Sequence, residues 1–228
     1  MESAVGYELA ALRCQFAEMC AMAAEAMNHA THALLLADID VAEAVIAERD
    51  DIAAMSASAE ETTFRLLAWQ RPLAGELRMM ANAIRIAADA ERMGELALQV
   101  AEIARRHYPR PAVPAEVSGR VAELSAMAVQ LACAAQEVLL SREPRLAADL
   151  RRDDGAVHRL YRQLLALLID PNWRYGVARG VDVALVSLLY ERFADYAVHL
   201  AERYTFQTNG YRLPVRSRKV APLTNRHR

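Results

Sequence analysis

With 228 residues, 54% of them apolar and 25% charged, the chain can bury a core unaided by disulfides or zinc. Cys14, Cys20 and Cys133, odd in number and without Cys-x-x-Cys spacing, exclude a disulfide framework and read as buried free thiols. The net charge of −2 is uneven: six Lys/Arg and no acid lie from Tyr211 onward, so the first 210 residues carry 21 bases against 29 acids, which argues against nucleic-acid binding.

Eight glycines and eight prolines are few, and alanine, leucine, glutamate and arginine dominate, so an all-α fold is expected. The first helix is predicted over about Val5 to Ala37, with Leu9, Leu12, Phe16, Met19, Met22, Ala26, Ala30 and Ala33 at spacings of three and four. Asp38-Ile39-Asp40 ends it, and Asp40 is placed as N-cap of a second helix. The apolar positions of that helix are Ala44, Val45, Ile52, Met55, Ala59, Phe64, Leu67 and Ala68, and Arg71-Pro72 stops it by removing a donor. A third helix runs from about Leu73 to His107, with Met79, Ala83, Ile86, Ala90, Met93, Ala97, Val100 and Ala104 as its core stripe.

Pro109, Pro111 and Pro114 then mark a boundary. The second half repeats the plan. A helix spans about Ala115 to Ser141, the next follows the Glu143-Pro144 turn to Ile169, and the last runs from about Trp173 to Asn209 after Asp170-Pro171-Asn172, with Gly210 at its C′ position. This divides the chain into a three-helix bundle over 1–108, a Pro-rich linker over 109–115, a second bundle over 116–210 and a basic, disordered tail over 211–228. No run of 18 apolar residues and no signal-like N-terminus is present, so a cytoplasmic protein without a transmembrane segment is expected.

Ala90-Glu91-Arg92-Met93-Gly94-Glu95 recurs 100 positions later as Tyr190-Glu191-Arg192-Phe193-Ala194-Asp195, the mark of a duplicated unit. At 100° per residue, Glu91, Glu95 and Glu102 fall opposite the core stripe, and Glu191, Asp195 and Glu202 do likewise. One such face alone reads as solvated. Carboxylates at i and i+4 repel, however, apolar residues such as Leu77, Ile84 and Leu98 share the face, and both halves keep the arrangement. The cluster therefore reads as a contact site for a basic partner or a hard cation such as Mg, Ca, Mn or iron. Further ligands would come from Asp50 and Asp51, or Asp153 and Asp154, on the neighbouring helices. A ferritin-like site is not indicated, because Glu-x-x-His pairs are missing; His29, His32 and His158 read as surface residues. No catalytic constellation is found, which points away from an enzyme.

Two blocks carry a resemblance. Trp69-Gln70-Arg71-Pro72-Leu73-Ala74-Gly75-Glu76-Leu77-Arg78, with Ala83-Ile84-Arg85-Ile86 and Asp89 through Glu95, is similar to the first repeat signature of the PhoU family of phosphate-uptake regulators. Asp154, Val157-His158-Arg159-Leu160-Tyr161-Arg162 and Tyr190 through Asp195 are similar to the second, and Ile103-Ala104-Arg105-Arg106 suits the actinobacterial, mycobacterial-type branch. The resemblance implies two three-helix bundles related by a pseudo-twofold. It also implies a cytoplasmic, non-enzymatic negative regulator of the phosphate-starvation response, held at the inner membrane face through its partners. Those partners are the ATPase of the high-affinity phosphate ABC transporter, its sensor histidine kinase, and a second copy of the chain. The family carries multinuclear iron or other metal clusters on acidic motifs that map to Glu91, Glu95, Glu191 and Asp195, with Asp50, Asp51, Asp153 and Asp154 as further candidates. The chain departs from the family at Ala53 and His158, where Asp is usual, and at Gly155-Ala156. Less metal than the family norm is therefore expected, and partner binding is favoured over metal. The alternative is a metal-binding helical protein acting independently of the kinase.

Overall fold

The computed structural model describes residues 4–69, 74–141 and 143–209, and these form seven helices with no strand. The first half contains α1 (Ala4–Leu36), α2 (Ile39–Ala47), α3 (Arg49–Trp69) and α4 (Ala74–His107). The second contains α5 (Ala115–Ser141), α6 (Pro144–Leu168) and α7 (Gly176–Asn209). The Arg71-Pro72 stop, Gly210 and the basic tail lie outside the described residues.

Helix ends follow local chemistry. At the end of α1 the chain turns through Ala37 at φ +55°, and the Asp38 amide donates to the Ala33 carbonyl at 3.2 Å. Asp38, not Asp40, caps the next helix: its backbone is extended and its Oδ1 accepts from the Val41 amide at 3.1 Å. Asp40 sits in the first turn, where its charge suits the helix dipole. The single second helix expected from the sequence is broken at Glu48, which closes α2 at φ −82°, ψ 7°. Neither Gly nor Pro marks the break. On either side of it, α2 and α3 both lie against α1 and α4. Pro144 occupies the first turn of α6, where its missing N–H has no partner to lose. The last helix begins at Gly176 rather than Trp173, because Gly176 sits at φ +76° and the Trp173 indole donates to the Gly176 carbonyl at 2.9 Å.

The helices α1, α4, α5 and α7 pack around a shared centre, with α3 laid against α4 and α1, and α6 against α7 and α5. The first unit, whose expected second helix is broken into α2 and α3, and the three-helix second unit are thus fused into one continuous core holding Leu12, Met27, Ile86, Met93, Leu124 and Phe193, all at most 2% exposed. Met80 is fully buried in place of the half-buried Met79, and Phe64, Ala44 and Ala68 of the second predicted stripe are exposed. Among the described residues α5 is long and apolar enough to cross a bilayer, but its Val121, Leu124, Ala128, Leu131 and Ala135 are buried in this core. Of the cysteines only Cys20 is buried, its thiol pushed up to about 12 by desolvation with Cys133 adding; Cys14 and Cys133 are exposed.

Polar contacts fix the two halves in register. Thr31 of α1 donates to the Met27 carbonyl at 2.8 Å, so Ser125 of α5 and Tyr190 of α7 must both donate to its hydroxyl, at 2.7 and 2.9 Å. Asp89 of α4 pairs with Arg203 of α7 at 2.7 Å, although burial still raises the Asp89 carboxyl above its usual range. His107 Nε2 lies 3.0 Å from Asp182, and Arg179 donates to the carbonyls of Pro111 and Ala112 at 2.6 and 2.8 Å, tying the Pro-rich segment to α7.

Candidate functional site

The duplicated acids lie on α4 and α7, each beneath its own outer helix. In the second half, α7 places Glu191 and Asp195 one turn apart, and α6 brings Asp154 and His158 over them. The His158 ring lies within the group: Nδ1 is 3.5 Å from Asp154, and Nε2 is 3.3 Å from Glu191 and 3.8 Å from Asp195. The Asp154 carboxylate raises the imidazole to about 9; Glu191 and Asp195 add to this, against the cost of partial desolvation. Glu191 is only 7% exposed, so this acid does not lie on a solvated face. His158, expected at the surface, is instead the centre of the site.

The first half is built differently. Glu91 and Glu95 of α4 face Arg49 and Ala53 of α3 across a cavity of about 160 Å³ floored by Met22, Ile52 and Leu98. Asp50 lines it too, and Gly94 lets α3 approach, because a Cβ there would stand 2.8 Å from Ile52 Cδ1. Arg92 donates to Glu95 at 2.5 Å and so engages one of the two motif acids.

The structure therefore brings Asp154, Glu191 and Asp195 together and adds His158. It leaves Asp51 and Asp153 exposed, and neither joins the described clusters. Among the described residues, Asp154, His158 and Asp195 form the one group whose ligand atoms lie within 4.8 Å of one another; Glu91 and Glu95 belong to none. As a test of fit to metal, the second half passes on donor chemistry alone: one imidazole and two carboxylates converge there, although His158 Nδ1 and Asp154 Oδ1 already pair with each other at 3.5 Å. The first half fails, having a guanidinium and a methyl group across from its acids. The sequence did hold a signal for His158, which follows Asp154 by four residues and so shares its helical face.

Between the two acidic sites runs a groove of about 670 Å³ along α4 and α7, lined by Arg92, Arg106 and Arg192 together with Leu185, Leu188 and Tyr196. Val177, Val181 and Leu185, four residues apart on α7, are 83%, 50% and 45% exposed and extend this apolar strip beyond Leu188.

Comparison with known proteins agrees with this architecture. The PhoU domain matches residues 16–104 and 121–204, one copy in each half. The chain is 50% identical over 210 residues to the phosphate-specific transport system accessory protein PhoU homolog 2 of Mycobacterium tuberculosis, covering 92% of this chain and 99% of that one. It is 48% identical to PhoU homolog 1 of Mycobacterium leprae, covering 92% and 95%. The crystal structure of PhoU from Pseudomonas aeruginosa superposes with a TM-score of 0.77 at 25% identity, over 90% of this chain and 99% of the other. That of the phosphate transport system regulatory protein PhoU from Streptococcus pneumoniae gives 0.82 at 21% identity, over 92% and 100%, a likeness of fold. With both halves matched and half the residues shared with a mycobacterial relative along its whole length, this chain belongs to the PhoU family.

Proposed function

We propose that the chain is a negative regulator of the phosphate-starvation response, an adaptor between the ATPase of the high-affinity phosphate transporter and a sensor histidine kinase at the inner membrane face. The observation that carries this is the 50% identity, over 99% of its length, to a protein named as an accessory of the phosphate-specific transport system. The shape of the molecule supports it. The α4–α7 groove is formed jointly by both repeats and combines leucines and the acids Glu95 and Glu102 with arginines and a tyrosine, the last two being residue types enriched in protein-binding surfaces. A strip of three exposed apolar side chains on α7 continues it.

Deleting the gene is expected to raise phosphate-starvation transcripts in phosphate-rich medium; unchanged transcripts, with no second family member compensating, would overturn the reading. Complementation with Val181→Asp/Leu185→Asp tests the surface. These exposed positions tolerate charge without unfolding, so the variant should accumulate normally yet fail to repress and fail to capture the kinase or the ATPase. A second reading, a metal-binding protein acting apart from the kinase, is favoured by the Asp154–His158–Asp195 group. Stoichiometric metal without partner capture would select it.

A further inference from the structure

We infer that one end of the bundle is a contact surface for an anionic lipid bilayer: Tyr7, Phe64, Trp69 and Leu77 meet the interface, and the basic residues that follow α7 meet the headgroup charge. This goes beyond the regulatory reading, in which partners hold the chain at the membrane, and does not depend on it.

Helix register brings these side chains to one end. The Gln15 side chain of α1 donates to the Met55 carbonyl of the antiparallel α3 at 2.9 Å, so Tyr7, eight residues before Gln15, stands level with Thr63, eight after Met55. Gly94 of α4 abuts Ile52 of α3, which sets Trp69 beside Leu77, each seventeen residues further along its helix. Asp89 of α4 pairs with Arg203 of α7, so Asn209, where α7 ends, stands level with Ala83, six residues or about 9 Å short of Leu77. The segment after α7 therefore leaves the fold close behind this tip.

Two signals of different kinds meet there. Tyr7, Phe64, Trp69 and Leu77 are all more than half exposed, Trp69 by 87%, and tryptophan and tyrosine are the types favoured at the level of lipid headgroups. The second signal is charge. Residues 211–228 carry Arg212, Arg216, Arg218, Lys219, Arg226 and Arg228 and no acid. Seven to ten residues of chain separate Arg216, Arg218 and Lys219 from Asn209, a reach of at most about 35 Å, enough to meet the plane that Trp69 touches. On the fold itself Arg65 and Arg78 are set against Glu61 and Glu76, so the added segment decides the sign. Stable attachment to a bilayer takes two such signals, an apolar one and a polybasic one. The opposite end, where α1 and α6 finish, also exposes Leu36 and Ile169, but Asp38, Asp40 and Asp170 follow them and would repel anionic lipid.

The test mixes the full chain with vesicles of phosphatidylglycerol and phosphatidylcholine, and with vesicles of phosphatidylcholine alone, at low and raised salt, read by co-sedimentation. Binding is expected at least about tenfold tighter to the anionic vesicles, and weaker as salt screens the charge. Arg216→Gln/Arg218→Gln/Lys219→Gln and Trp69→Ser/Leu77→Ser should each weaken it at least about tenfold, with parental circular dichroism showing that the variants fold. Ile169→Ser, at the opposite end, should bind like the parent. In Trp173→Phe protein the remaining tryptophan is Trp69, and brominated lipid in the vesicles should quench its fluorescence. Equal affinity for the two vesicle types, undiminished binding in either folded multiple variant, loss of binding in Ile169→Ser, or unquenched Trp69 in bound protein would each overturn the proposal. So would capture of DNA or of a second copy of the chain through these residues with vesicles left unbound. Only lipid and purified chain are present, so a negative result leaves the expected rise in phosphate-starvation transcripts standing.

Discussion

His158 is a base surrounded by acids on two helices, and the consequence is measurable without any metal. Its folded-state value of about 9 lies above the ordinary 6.5, so protonation favours the folded chain. The contribution is fully present below about pH 6.5 and is lost as pH rises through about 9. Because the ring is partly exposed, solvent screening reduces the effect to about 1 kcal/mol. Thermal melts at about pH 6 and about pH 10 should therefore show a larger drop for the parent than for His158→Gln. An equal drop would mean that the ring is not held charged by its neighbours. Glu191 and Asp195 were legible in the sequence because their four-residue spacing repeats at Glu91 and Glu95. What could not be read was their burial. Glu191 is covered by α6, and the side chains over it come from some 35 residues earlier in the chain, a distance no helical period spans. Ala53 was already legible as a departure from the family's Asp, whereas Arg49, which lines the same cavity as Glu91 and Glu95, was not singled out.

At the scale of elements, Gly94 is where the two repeats part. Its counterpart Ala194 is fully buried, so the second repeat accommodates a methyl group where the first does not. Gly94→Ala would gain about 1 kcal/mol of helix propensity, yet its Cβ would meet Ile52 Cδ1 at 2.8 Å, and overpacking of this kind costs roughly 1–3 kcal/mol. Ile52 Cδ1 is the end of its side chain and Ile52 borders the cavity beside Glu91 and Glu95, so rotation into that space holds the cost to the middle of this range. The expected balance is a loss of about 1 kcal/mol, read as a melting temperature about 2–4 °C lower. A companion Gly94→Ala/Ile52→Val should recover most of it, because the clashing methyl is removed; no recovery would place the cost elsewhere. The long helices around this contact were readable from apolar spacing alone, and the cap was read two residues late, at Asp40 instead of Asp38, because the two have the same capping chemistry. The break at Glu48 was not readable. It carries no Gly or Pro, and the two helices it separates both pack against α1 and α4, so neither composition nor apolar spacing marks it.

For the whole molecule, the question is whether two repeats behave as two units or one, and the Thr31 hydroxyl lies at the answer. It belongs to the first repeat, while the hydroxyls donating to it, Ser125 and Tyr190, belong to the second. Replacing Thr31 by Val keeps the shape but strands two buried donors, each at about 1–3 kcal/mol. Tyr190→Phe removes one donor and leaves Thr31 bonded to Ser125 and to the Met27 carbonyl, so it should cost only about 1 kcal/mol. The order, Thr31→Val worse than Tyr190→Phe, follows from which group is shared. The two tryptophans fall one in each repeat, and Trp173 is held by its bond to Gly176, so its fluorescence reports the second. If α1, α4, α5 and α7 form one cooperative core, the Thr31→Val change in the first repeat should lower the denaturation midpoint seen by Trp173 as much as that seen by far-ultraviolet circular dichroism. A Trp173 midpoint left at the parent value, with only part of the helical signal lost early, would mean that the repeats unfold separately and that the groove between α4 and α7 is an interface able to open.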